Sequence, residues 1–158
     1  MYSGMEKLRE VLTHLSDEQK LHILQRKYNR YTLFVWWTPL HCAARKGHTE
    51  IISTVLTSLQ SSADRLKLLM EDEYYTPLHY AALVGRTESV KVILDCLTAD
   101  QQMKLMSVQR MGDMIAVQLA ERGHTDAVRM LREYEHRAEN LMRDEYSKLI
   151  IHNPLVSL

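Results

Sequence analysis

The side chains able to do chemistry are numerous in this chain, but their spacing argues against most of it. There are eight histidines and two cysteines. A zinc site wants three or four His, Cys, Asp or Glu ligands at short, patterned separations. Cys42 and Cys96 lie far apart, and His14 and His22 sit in a helix-forming stretch with no further ligand at metal spacing. A catalytic thiol needs a base within hydrogen-bonding reach. His41 precedes Cys42 directly, and neighbours on a helix point in different directions. Glu71, Asp72 and Glu73 admit a cation site, an acidic spot that complements a basic partner, or a solvated loop, and the solvated loop ranks first. The terminal Val-Ser-Leu is weak evidence for capture in a carboxylate pocket. No metal or cofactor is expected, and the chain is read as no enzyme.

The aromatics are distributed differently. The run YNRYTLFVWW, residues 28–37, holds Tyr28, Tyr31, Phe34, Trp36 and Trp37, including both tryptophans and the only phenylalanine of the chain. Trp and Tyr dominate binding hot spots and supply contact area at low entropic cost. These residues suit recognition.

Composition sets the bounds. A chain of 158 residues can bury a core without disulfide or metal staples. Its 20 basic and 20 acidic residues cancel, which gives no basic excess for nucleic acid. No run approaches the ~18–20 apolar residues of a membrane span. The N-terminal MYSGMEKLREVLTHL is charged and lacks the apolar centre of a signal peptide. Two lone thiols suit a reducing compartment, so a natural protein of this sequence is expected in the cytoplasm. Five glycines and three prolines leave no flexible linker.

The elements that must position the aromatics repeat themselves. TPLHCAARKGHTEIISTVL from Thr38, TPLHYAALVGRTESVKVIL from Thr76 and MIAVQLAERGHTDAVRML from Met114 align without gaps, at a period of 38. Each predicts two short helices. Thr38 and Thr76 serve as N-caps with Pro39 and Pro77 at the first helical position. Gly47, Gly85 and Gly123 end the first helix. Thr49, Thr87 and Thr125 then cap the second, with an acid in its first turn where the helix dipole favours it. A third helical scrap follows each pair, and Ser16 with Gln19 and Thr98 with Gln101 form capping boxes there. The N-terminal helix reads as the second helix of a truncated leading repeat. Residues from Thr125 to about Ile150 read as helix, with HNPLVSL a frayed tail.

This pattern resembles the ankyrin repeat, whose hallmark is the TPLHxAAxxGHTE core quoted above. The resemblance covers residues 5 to 145. It implies an all-α solenoid of stacked helix pairs, with finger turns projecting from one edge and helical caps at both ends. It also implies that His41 and His79, and likewise His48 and His124, hydrogen-bond turn backbone. The domain is single: cap 1–27, repeat one 28–66, repeat two 67–104, repeat three 105–134, C-terminal helix and tail 135–158. The family binds other proteins through finger tips and the concave face of the first helices, and is not one of enzymes.

Against that pattern the fingers deviate. Tyr74 and Trp36 occupy positions where the family has glycine. Lys20 precedes Thr38 by 18 positions, whereas Lys67 and Lys104 precede Thr76 and Met114 by 9 and 10, so the first finger carries about eight extra residues. Either it packs back on the N-terminal helix, or it forms an extended hairpin that docks a partner with Trp36 and Trp37 solvent-accessible. The second ranks first. The groove positions implied by the resemblance are Arg45 and Lys46, Leu83 and Val84, and Glu121 and Arg122. With Tyr75, Tyr80, Met111 and Met114 they outline an apolar patch with a charged rim, to which Asp72, Glu73 and Asp113 contribute acids. The expected partner is another protein, with no nucleic acid and no membrane, and the free chain is expected to be a monomer. A strict scaffold with broken fingers resembles a selected or designed binder as much as a natural inhibitor or adaptor. A self-associating module is the alternative from another class.

Overall fold

The computed structural model describes residues 4–29, 36–71, 75–109 and 115–151, with Tyr28, Asn29 and Trp36 described by backbone alone. Helices α1 (Gly4–Thr13) and α2 (Asp17–Leu24) form the leading cap. Two-residue strands β1 (Tyr28–Asn29) and β2 (Trp36–Trp37) pair antiparallel, Tyr28 against Trp37 and Asn29 against Trp36. Then come α3 (Pro39–Lys46), α4 (Thr49–Ser58) and α5 (Ser62–Met70). The next repeat is α6 (Pro77–Leu83), α7 (Thr87–Asp95) and α8 (Ala99–Met106). Helices α9 (Ala116–Ala120) and α10 (Thr125–Ile151) close the stack.

The helices pack in three rows: α3, α6 and α9; α1, α4, α7 and α10; α2, α5 and α8. The cap therefore supplies members of the second and third rows, as a truncated repeat should. Alanines let the first row close up: Ala44, Ala81, Ala82, Ala116 and Ala120 are fully buried. Behind them lie Ile52, Leu56, Leu68, Leu69, Leu78, Ile93, Leu94 and Leu105. Each such aliphatic side chain contributes about 1.5–3 kcal/mol when removed from water, so the repeats hold one another through a continuous core.

Polar side chains lock the rows at their helix ends, where carbonyls lack intrahelical partners. Lys20, 6% exposed, donates from Nζ to the Ser58 carbonyl at 2.6 Å and pairs with Asp17 at 3.0 Å. The Gln60 amide donates to the other Asp17 oxygen; this bond and the one from Lys20 hold the carboxyl below its ordinary value. One repeat on, Arg65 donates to the carbonyls of Leu59 and Cys96.

Helix α10 runs 27 residues. Ala127, Leu131, Tyr134 and Ala138 form its buried stripe, at the four-three-four spacing of one helix face. Beyond it Leu141, Tyr146 and Leu149 are exposed. Tyr134 donates its hydroxyl to Asp95, which also pairs with Lys91. Desolvation and that bond raise the phenol's pKa.

Several expectations need correction. The boundaries expected after 66, 104 and 134 fall within α5, α8 and α10. Thr49 and Thr87 are the first residues of their helices, and the cap positions are His48 and Arg86. There the turn is closed by backbone: the Ile52 amide donates to His48 and the Val90 amide to Arg86. His48 is exposed, and His124 packs over Gly85 instead of bonding a turn. The tail 152–158 lies outside the described residues.

Candidate functional site

The site begins at the threonines that open α3 and α6. The Thr38 amide donates to His41 Nδ1 at 3.2 Å, and the Thr76 amide to His79 Nδ1 at 3.4 Å. A peptide N–H can only donate, so each Nδ1 is unprotonated and each Nε2 carries the hydrogen. His41 Nε2 then donates to the Tyr75 carbonyl at 2.8 Å, and His79 Nε2 to the Val108 carbonyl at 3.0 Å. Both imidazoles are fully buried. Each helix thereby fastens the segment that leads into the next repeat. The resemblance had implied this role for His41 and His79, and the geometry supplies it.

Trp37 stands directly before the first of these caps. Its ring lies 4.9 Å from Tyr80 on α6, and the Arg45 guanidinium sits 5.1 Å from its centroid. Tyr75 closes on Tyr80 from the other side, edge-on at 5.5 Å. The base of the first finger thus leans across the first row onto the following repeat. At that base β1 and β2 pair antiparallel, while residues 30–35, on which the extended hairpin expected from the sequence rests, lie outside the described residues. The expectation of a substantially solvent-accessible Trp37 does not hold: the residue is half-buried. The ring contacts of Trp37 lie on α3 and α6; for the other aromatics of the run, the alternative of packing on the N-terminal helix falls outside the described side chains. Tyr80 also needs correction. It is 7% exposed, because Trp37 and Tyr75 cover it, so it floors the patch and offers no surface.

Trp37 has one polar defect. Its indole Nε1 is buried and has no hydrogen-bond partner among the described residues. An orphaned buried donor costs about 1–3 kcal/mol.

The groove beside the ring has a volume of about 380 Å³ and is lined by Trp37, Arg45, Lys46, Val84 and Arg86. Arg45, Lys46 and Arg86 are exposed, and Leu83 and Val84 half-buried. Arg86 donates to the Arg45 carbonyl at 3.3 Å, which ties the two repeats together along the groove. The next hollow shares Lys46 and Arg86 and adds Gly47, Gly85 and Ser89 among its walls. Glu121 forms an ion pair with Arg132 of α10.

Of the sequence-derived candidates, the structure brings together Trp37, Arg45, Lys46, Tyr75, Tyr80 and Val84, with Leu83 beside them on α6. Tyr31, Phe34, Asp72, Glu73, Tyr74, Met111, Asp113 and Met114 lie outside the described residues, as do the side chains of Tyr28 and Trp36. Glu71 accepts from Gln25 at 2.8 Å, so that acid is tied to the leading cap. Arg86 was missed as a groove residue. Its signal was present: the second repeat reads GRTE where the other turns read GHTE and GHTD. Among the described residues no group of three His, Cys, Asp or Glu side chains could hold a metal, and no helix is long and apolar enough to cross a membrane.

A family model for ankyrin repeats, in three copies, matches residues 7–106. The match takes in the leading cap and stops before the third segment, which has lost the Thr-Pro of its neighbours. No curated protein matches the chain.

Proposed function

Because the chain belongs to the ankyrin-repeat family, whose repeats generally mediate protein–protein interaction, we propose that it is a non-catalytic module that docks a partner protein on the first finger and the adjoining groove. The observation that carries this is Trp37. It bridges two repeats through Tyr80 and Arg45, at the rim of a groove with a half-buried apolar wall. Interface hot spots are built from such anchored aromatics and arginines. We further assign to the docking surface, from the sequence pattern, Tyr28, Tyr31, Phe34 and Trp36 of finger one and Asp72, Glu73, Tyr74, Met111, Asp113 and Met114 of fingers two and three. A scaffold that keeps its caps while its fingers depart from the family pattern fits a binder chosen for its fingers, whether selected or a natural inhibitor or adaptor. Two free thiols fit a reducing, cytoplasmic setting.

The test is affinity capture from a lysate with the native chain and with the Trp36→Ala/Trp37→Ala and Leu83→Glu variants. A partner held by the native chain and lost by both variants, with circular dichroism unchanged, supports the proposal. Equal capture by all three overturns it. Self-association is the second reading, favoured by the exposed Leu141, Tyr146, Leu149 and Ile151 on α10. Light scattering separates the two: a mass that stays at one chain as concentration rises removes it.

A further inference from the structure

The groove is electrostatically one-sided on a chain whose formal net charge is zero. Arg45, Lys46 and Arg86 line it together. Among the described residues none of the three pairs with a carboxylate, although Arg9, Lys20, Lys91, Arg129 and Arg132 all do. Carboxylates are plentiful elsewhere, so this gathering of uncompensated cations is a property of the place. Glu88 lines the neighbouring hollow together with Lys46 and Arg86, which leaves the sum there positive as well.

Resting on the docking reading above, we propose that the groove takes an acidic peptide segment of the partner, one that sets Asp or Glu side chains against Arg45, Lys46 and Arg86 and an apolar side chain against Trp37 and Val84. Opposed charge across an interface steers encounter and fixes register. Arg45 and Lys46 end α3 of one repeat and Arg86 caps α7 of the next, so the positive charge is spread along the stack. That spacing matches carboxylates strung along a chain better than a single phosphate. Nucleic acid fits less well. Its affinity comes from many phosphate contacts along a basic surface, whereas this groove offers three cations and an apolar wall.

The experiment uses immobilised full-length chain and a random-sequence peptide library at low salt, with sequencing of the retained peptides. The native chain should retain a pool enriched in Asp and Glu, and raising the salt should release it, since exposed charges are screened. Lys46 is exposed, and the structure gives its side chain no hydrogen bond, so Lys46→Glu should fold as the native chain does. It should weaken binding of a retained acidic peptide by about tenfold, and Lys46→Glu/Arg86→Glu should shift the retained pool toward Lys and Arg. A retained pool without acidic enrichment overturns the charge assignment. If that pool is still lost by Leu83→Glu, the groove remains a docking site. If neither Leu83→Glu nor Trp37→Ala changes retention, the docking site falls too. Retention of nothing, or displacement of the acidic peptides by a single-stranded oligonucleotide at equal concentration, also overturns the proposal.

Discussion

Replacing Trp37 by phenylalanine separates the two opposing contributions of this side chain. Truncation of a buried Trp to Ala costs about 3–5 kcal/mol. Trp37 is half-buried, so the lower end applies. Its orphaned N–H disappears on truncation, which returns about 1–3 kcal/mol. Trp37→Ala should therefore destabilise by a net ~0–2 kcal/mol, lowering Tm by no more than about 8 °C for a chain of this size. Trp37→Phe keeps an aromatic ring against Tyr80 and beneath the Arg45 guanidinium while removing the orphan donor. It should change stability by less than about 1 kcal/mol, and in the stabilising direction if the shorter ring still covers Tyr80, because the lost contact and the removed defect are of similar size. Urea unfolding followed by circular dichroism measures both variants under one set of conditions. A loss above about 2 kcal/mol for Trp37→Phe would refute the reasoning, since it would mean that the indole N–H is already satisfied in the free chain.

Three further outcomes are expected. His79→Leu, of similar volume, orphans the Thr76 amide and the Val108 carbonyl and should cost roughly 2–5 kcal/mol at about 1–3 for each group; a urea midpoint equal to the native one would show that the staple carries no energy. Gly85→Ala must hold φ at +67°, and its Cβ would fall 2.7 Å from His124 Cγ. The left-handed backbone alone costs about 1–2 kcal/mol, and His124→Ala in the same chain should recover the remainder, a double-mutant cycle that fails if the two changes simply add. At Asp95, burial favours the neutral acid, but the hydrogen bonds from Lys91 and Tyr134 outweigh it and the carboxyl's pKa is lowered. Its contribution is then present above the unfolded pKa of about 3.9 and lost as pH falls through the lower folded value. Melting curves against pH should therefore steepen on the acid side for the native chain and flatten for Asp95→Asn, and superimposable acid limbs would remove Asp95 from the account.

The rows of helices were legible because the signals are local. Thr38-Pro39 and Thr76-Pro77 start a helix, Gly47 and Gly85 stop it, and the alanines between them mark the buried face. The long α10 was legible from its unbroken periodicity. Tyr80 was not, because its burial is decided by Trp37, a residue more than one repeat away in sequence. Lys20 and Arg65 would pass for surface cations by type alone, and only the stack brings the carbonyls of Ser58, Leu59 and Cys96 within their reach. Arg86 carried a visible cue, a broken GHTE turn, but its meaning depends on Arg45 and Lys46 standing opposite.

The staples bind main chain. His41 reaches the carbonyl of Tyr75, the residue just before Thr76, while His79 reaches that of Val108, well before α9 begins. The two acceptors are not equivalent positions of the repeat, and neither bond consults a side chain. Each buried imidazole is a socket indifferent to the sequence of the loop that plugs into it, provided that a carbonyl passes at the right height. Mutations in a finger are then neutral for the stack until they move its backbone. An insertion such as the one ahead of Thr38 can lengthen a loop with no compensating change in the helices. Heritable variation can accumulate in these loops, so a lineage of such chains could change partners many times while its helices stay nearly unaltered.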